Sequence, residues 1–195
     1  MKKTFLRFAG SMMLTALLTA AGSSISTDAI ALQLDPASTK VEFTLGDVLH
    51  TVHGKFKLRS GNIRFNPESG EASGELIVDA ASGDSGSHAR DHKMNANVLE
   101  SDRYPDIIFR PDRVIGKVAP EGKSNVEVHG MFVIHGEGHE MTAPVEVTSS
   151  HGEYSATAHF AVPYVKWGMK NPSTLFLRVS QDVQITVQMF SRRPS

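Results

Sequence analysis

From Lys40 to Met189 the chain is built of short runs in which every second residue is apolar, and this period of two constrains the fold more than any other feature. Successive side chains of an extended strand point to opposite faces, so such a run buries one face and wets the other. Val41, Phe43 and Leu45 alternate with Lys40, Glu42 and Thr44. Val52, Phe56 and Leu58 share a face opposite His53, Lys55 and Lys57. Leu76 and Val78 continue the pattern within Gly74–Ala80. Val126, Val128, Phe132 and Ile134 form one long inner face; Ala156, Ala158, Phe160 and Val162 form another. Val183, Ile185, Val187 and Met189 close the chain, with Gln184, Thr186 and Gln188 on the other side.

Turn chemistry between these runs predicts antiparallel pairing. Ser60-Gly61 reads as a two-residue hairpin connection that pairs Leu58 with Ile63 and Phe56 with Phe65. At His135-Gly136-Glu137-Gly138, register decides the loop length. An even loop places Phe132 and Ile134 on the same face as Met141 and Val145, whereas an odd loop sets Phe132 against Thr142. The even loop is therefore expected, and it separates His135 from His139 by face. One segment departs from the pattern. Ser87–Leu99 lacks proline and glycine, Ser87 is suited to cap a first helical turn, and Met94 and Val98 share a helical face. The expectation is one helix there, then a strand Asp106–Arg110 opened by Tyr104-Pro105, and a loop over Pro163–Ser173. Eight or nine short antiparallel strands with one short helix describe an all-β barrel or sandwich. Eight strands close a barrel just wide enough for a filled core or one small ligand.

The N-terminus reads differently. Lys2, Lys3 and Arg7 precede an apolar stretch from Phe8 to Gly22, and Ala29-Ile30-Ala31 supplies the small residues a signal peptidase requires, with Ala20-Ala21-Gly22 as an earlier site. A leader over residues 1–31 implies a periplasmic or secreted protein and leaves 164 residues, enough for one domain with a sizeable core. Its removal takes three basic residues and Asp28, leaving 17 basic against 20 acidic residues, which offers no basic face for nucleic acid. After cleavage no stable membrane anchor is expected. With no cysteine, the chain has no disulfide, thiol nucleophile, lipoprotein anchor or thiolate metal site.

Several short motifs, in order, carry a resemblance. They are Leu34-Asp35-Pro36, His53-Gly54-Lys55-Phe56, Asp79–Ser82, Arg90-Asp91 with Met94, and Tyr104-Pro105 with Phe109. Val128-His129-Gly130 and Ile134-His135-Gly136 follow, then Thr142-Ala143-Pro144-Val145. In this order the chain resembles the YceI-like family of periplasmic lipid- or polyisoprenoid-binding proteins. The resemblance implies a lipocalin-like antiparallel barrel over residues 32–195, a lipid-binding domain holding a polyisoprenoid or isoprenoid quinone-like ligand and needing no cofactor beyond that lipid. The segment Trp167–Ser173 and the paired histidines look like one branch of the family. A homodimer is left open.

On this reading the ligand lies against Phe43, Leu45, Phe56, Phe65, Val78, Met94, Phe109, Phe132, Ile134 and Phe160, with Trp167 either at the rim or in a plug. Composition alone does not separate a packed core from a pocket, which needs the same residues plus empty space. Arg90 and Asp91 read as a helix-to-barrel ion pair or, less simply, as contacts for a head group, with His92 and Trp167 as further candidates at the mouth. The alternative is a histidine-based metal- or haem-binding stress protein, motivated by nine histidines. His50 and His53 point to opposite faces of a strand, and His88 with His92 lacks a third ligand, so these histidines read as surface residues. Ser87, His88 and Asp91 lie close in sequence without triad geometry, no Gly-Xaa-Ser-Xaa-Gly elbow is present, and Ser82–Gly86 lacks the lysine of a phosphate loop and reads as a turn. No catalytic role is expected.

Overall fold

The computed structural model of the chain describes residues 29–46, 51–174 and 178–192. Nine strands follow one another: β1 (Ile30–Leu34), β2 (Lys40–Gly46), β3 (Thr51–Phe65), β4 (Ala72–Asp84), β5 (Asp106–Ile115), β6 (Gly122–Ile134), β7 (Glu137–Ser150), β8 (Glu153–Val162) and β9 (Val183–Arg192). Between β4 and β5 runs the short helix α1 (His88–Lys93), which continues into a π-helical turn over Met94–Leu99. Every neighbouring pair is antiparallel, and the pairing of β3 with β4 closes β2–β9 into an eight-stranded barrel. The extra strand, β1, shares the slot of β2 between β3 and β9: β2 pairs with the first half of β3 and β1 with its end. The two are separated by a turn in which the amides of Ser38 and Thr39 donate to the Asp35 carbonyl. Closure leaves no open edge along β2–β9 for another chain to extend.

The expected loop at His135 is two residues long. Ile134 pairs with Glu137, and both His135 (φ 53°) and Gly136 (φ 78°) occupy the left-handed region, the backbone of the tight hairpin turn whose twist matches that of the strands. Phe132 and Met141 accordingly face inward together, while the His135 ring packs against Tyr104, tilted at 49° with centroids 4.5 Å apart. His151-Gly152 makes a second turn of the same kind between β7 and β8.

Ser60-Gly61 is not a turn. β3 runs unbroken through it, and the hairpin bends only after Phe65, at Asn66–Glu71, where the Asn66 amide donates to the Glu71 carbonyl. The facts that suggested a turn have another cause. Leu58 pairs with Val78 but Ser60 with Ile77, so Arg59 is a bulge residue that shifts the phase of the strand. Phe56 and Leu58 before the bulge and Ile63 and Phe65 after it then face inward from one continuous strand. At Gly61 a Cβ would lie 2.8 Å from the Leu34 side chain of β1, so the glycine lets β1 approach closely there.

Two further expectations are corrected at the helix. Ser82–Asp84 extends β4, leaving only Ser85–Ser87 to turn. Ser87 occupies the cap position of α1, yet its hydroxyl makes no capping bond. The capping is inverted: Asp91, a turn later, reaches back and accepts from the Ser85 amide (2.9 Å) and hydroxyl. The proposed leader upstream of residue 29 lies outside the described residues, as does His50. Ile30 and Ala31, at the end of that leader, belong to β1, where Ile30 pairs with Phe65 and is 8% exposed.

Candidate functional site: the barrel interior

Inward-facing side chains of all nine strands enclose a cavity of about 630 Å³. Its walls are apolar because of the alternation: β9 contributes Val183, Ile185, Val187 and Met189, and β7 contributes Met141, Ala143, Val145 and Val147. Phe56, Phe109, Val128, Phe160, Ile185 and Val187 point inward but keep part of their surface accessible, which a filled core at crystal-like density would not allow. Packing is tightest at the two ends. At the helix end Leu99, Phe132, Ile134, Val162, Tyr164 and Met169 form a buried cluster. At the far end Ile30, Phe65 and Tyr154 close the floor, with Val114, Val118 and Val147 packed on them.

The cavity opens beside α1 and Pro172–Thr174, where the lining residues Ala89, Arg90, Lys93, Pro172 and Thr174 are also exposed to solvent. Among the described residues, Arg90 and Lys93 are the only charged side chains along the lining. Among the described residues, Arg90 does not form the expected helix-to-barrel ion pair. Its Nε donates to the Ser85 hydroxyl and its terminal nitrogen to the Ser85 carbonyl, both at 2.7 Å, while Asp91 grips the same serine from the other side. The two charges thus converge on Ser85, in the turn that leads into α1.

Beside the mouth, Pro163–Met169 folds into a compact plug. The Met169 amide donates to the Tyr164 carbonyl (3.0 Å) and the Tyr164 hydroxyl to the Ser180 carbonyl (2.7 Å). Burial pushes the Tyr164 phenol above its ordinary pKa, and the carboxylate of Asp182 adds to the effect. Trp167 stands in this plug and does not line the cavity. Its indole stacks on the His139 ring at 4.1 Å and 3° and lies 5.8 Å from Phe132. His139 Nε2 is buried there without a hydrogen-bond partner.

The other ten residues expected to face a ligand, Phe43, Leu45, Phe56, Phe65, Val78, Met94, Phe109, Phe132, Ile134 and Phe160, all line the cavity. The reading of single residues missed Leu32, Leu34, Tyr154, Ala156 and the whole of β9 as lining, although the alternation of β9 was plain. Ser85, Ser87 and Lys93 carry no sequence signal that would place them at a mouth. Among the described residues no three histidine, cysteine or acidic side chains are grouped as a metal would require. His88 and His92 are exposed on α1, and His129 bonds Asp112 at 2.7 Å on the outer face. No described helix is long and apolar enough to cross a membrane.

The fold matches solved barrels closely at low identity. BcnA of Burkholderia cenocepacia superimposes with a TM-score of 0.67 at 17% identity, over 80% of this chain and 98% of the other. A polyisoprenoid-binding domain from Saccharophagus degradans gives 0.66 at 13%, over 85% and 99%. A YceI protein of Campylobacter jejuni gives 0.62 at 18%, over 75% and 88%. No curated protein matches the sequence. The YceI-like domain matches residues 32–190, nearly all of the barrel just described, and the chain belongs to the YceI-like family.

Proposed function

We propose that this protein is a periplasmic or secreted carrier that holds one apolar chain inside its barrel, an isoprenoid before other lipids, and that it catalyses no reaction. The observation that carries this is the continuous apolar void of about 630 Å³, closed at one end and open at the other. A volume of that size is in the range of ligand pockets and too large and too apolar to be a packing defect. Transfer of each methylene from water into it contributes about 0.8 kcal/mol, so a long chain is held without directional bonds. Likeness to a polyisoprenoid-binding domain favours isoprenoids over other lipids. The basic start and apolar stretch of residues 1–22 support export, where a lipid between membranes needs a soluble container.

The test is extraction of the protein purified from its own envelope fraction, followed by mass spectrometry of the organic phase. One isoprenoid per chain is expected. Protein that carries no amphiphile and binds none of a panel of prenols and fatty acids refutes the carrier reading.

A further inference from the structure

We infer that α1 and the π-helical turn after it form a lid, which swings away from β4 to pass the ligand and closes again behind it. This rests on the carrier reading and adds the route by which the cavity fills. The segment covers the void without being built into the wall. Ala89, Arg90 and Lys93 line the cavity and are exposed at the same time, and α1 has no buried residue. A helix of six residues is too short to hold its shape alone, so it depends on what fastens it.

Those fastenings are few. Arg90 and Asp91 bond Ser85, which lies beyond the end of β4, so they hold the segment to itself and not to a strand. Among the described residues one hydrogen bond ties His88–Leu99 to the wall: Asn95 Nδ2 donates to the Ala81 carbonyl of β4 at 3.2 Å. The other half of that amide is unsatisfied, because Asn95 Oδ1 is buried without a partner. Closure therefore costs a hydrogen bond to water that opening returns. The second fastening is a socket at Gly83. A Cβ there would run into the Met94 methyl and lie 2.8 Å from the Phe56 ring, so the glycine lets Met94 rest on β4. The third is Leu99, 7% exposed among Phe132, Ile134 and Val162. It anchors the C-terminal end, where Glu100 turns the chain through the left-handed region at φ 47°. Hinges are commonly a few such residues at the end of an element. The plug beside the helix is fastened differently. Tyr164 and Met169 are buried, and the Tyr164 hydroxyl holds the Ser180 carbonyl. Of the two elements, the helix has the less to break when it moves.

The chain has no cysteine, so Gly83→Cys with Met94→Cys introduces a single pair that meets across the socket. Retinol, an isoprenoid whose fluorescence rises on burial, is the probe. Stopped-flow mixing reads its uptake by delipidated protein, and transfer to empty phosphatidylcholine vesicles reads its release. Oxidising the pair is expected to slow both by about tenfold or more while Kd moves by less than about threefold, because a lock on the path leaves the closed state as it was. Dithiothreitol should restore both rates. In the unaltered protein, the amides of residues 88–99 should exchange with deuterium about tenfold or more faster than those of β4 and β5. Rates that oxidation leaves unchanged overturn the lid and leave the carrier reading standing. So does a pair that cannot be oxidised, since Met94 then does not rest on Gly83, and so do helix amides as well protected as those of the strands. Should the double variant fail to fold, hydrogen exchange of the unaltered protein decides. Failure of retinol to bind any form overturns both readings.

Discussion

Phe132 and Phe160 sit in the same barrel wall with rings 6.1 Å apart, yet truncating them has different consequences. Phe132 is 8% exposed, paired with Phe109 and His139 and backed by Trp167 at 5.8 Å. Phe160 keeps one side open to the cavity. Shortening a buried phenylalanine to alanine withdraws about 150 Å² of apolar burial, or about 4 kcal/mol at 25 cal/mol per Å². Phe132→Ala is expected to cost that much. Phe160→Ala, at a partly exposed position facing the cavity, should cost less, about 2 kcal/mol. At about 2–4 °C for each kcal/mol in a domain of this size, the fall in Tm is roughly 8–16 °C for the first and 4–8 °C for the second. Urea unfolding of lipid-free protein measures both, with the lone Trp167 as fluorescent reporter beside Phe132 and circular dichroism as the second probe. Equal losses, within about 0.5 kcal/mol, would refute the reasoning, because they require Phe160 to be packed on all sides and the void to be absent. A larger ring at 132 is pressed against Trp167, 5.8 Å away, so Phe132→Trp should cost about 1–3 kcal/mol even without lipid.

Gly136→Ala puts a Cβ 2.5 Å from the Tyr104 ring at a φ of 78°. A loss of about 1–2 kcal/mol in denaturant unfolding is expected; an unchanged midpoint would mean that the turn relaxes freely. Tyr164 ionises later in the folded chain than in the unfolded one. Its stabilising share is therefore present below pH about 10 and lost as pH climbs through the raised folded value. Tyr164→Phe should flatten that alkaline fall in the urea midpoint, and the same fall in both proteins would exclude the residue as its source. We further propose that export removes residues upstream of Ile30, at Ala20-Ala21-Gly22 and not after Ala31, because Ile30 closes the barrel floor. Intact mass of the secreted form checks this, and a mature chain starting at Leu32 contradicts it.

The period of two was enough to set the class of fold, the inward face of nearly every strand and, through register, the two-residue turn at His135-Gly136. Those are local quantities: a one-residue slip would put Met141 on the face opposite Phe132 and Ile134, so the sequence tolerates only one answer. Ser60-Gly61 shows where local reasoning stops. A hairpin and a bulge both bring Phe56, Leu58, Ile63 and Phe65 to one face, and only the pairing with β4 and the approach of Leu34 choose the bulge. Closure of β9 on β2, which turns a meander into a container, joins strands from opposite ends of the described chain. Trp167 and His139, 28 residues apart, meet only because the plug folds back on the β6–β7 hairpin. Whether the apolar interior is filled or hollow was not in the sequence at all. The same phenylalanines and valines serve either case, and the difference is the barrel's circumference, set by how many strands close and how far they tilt.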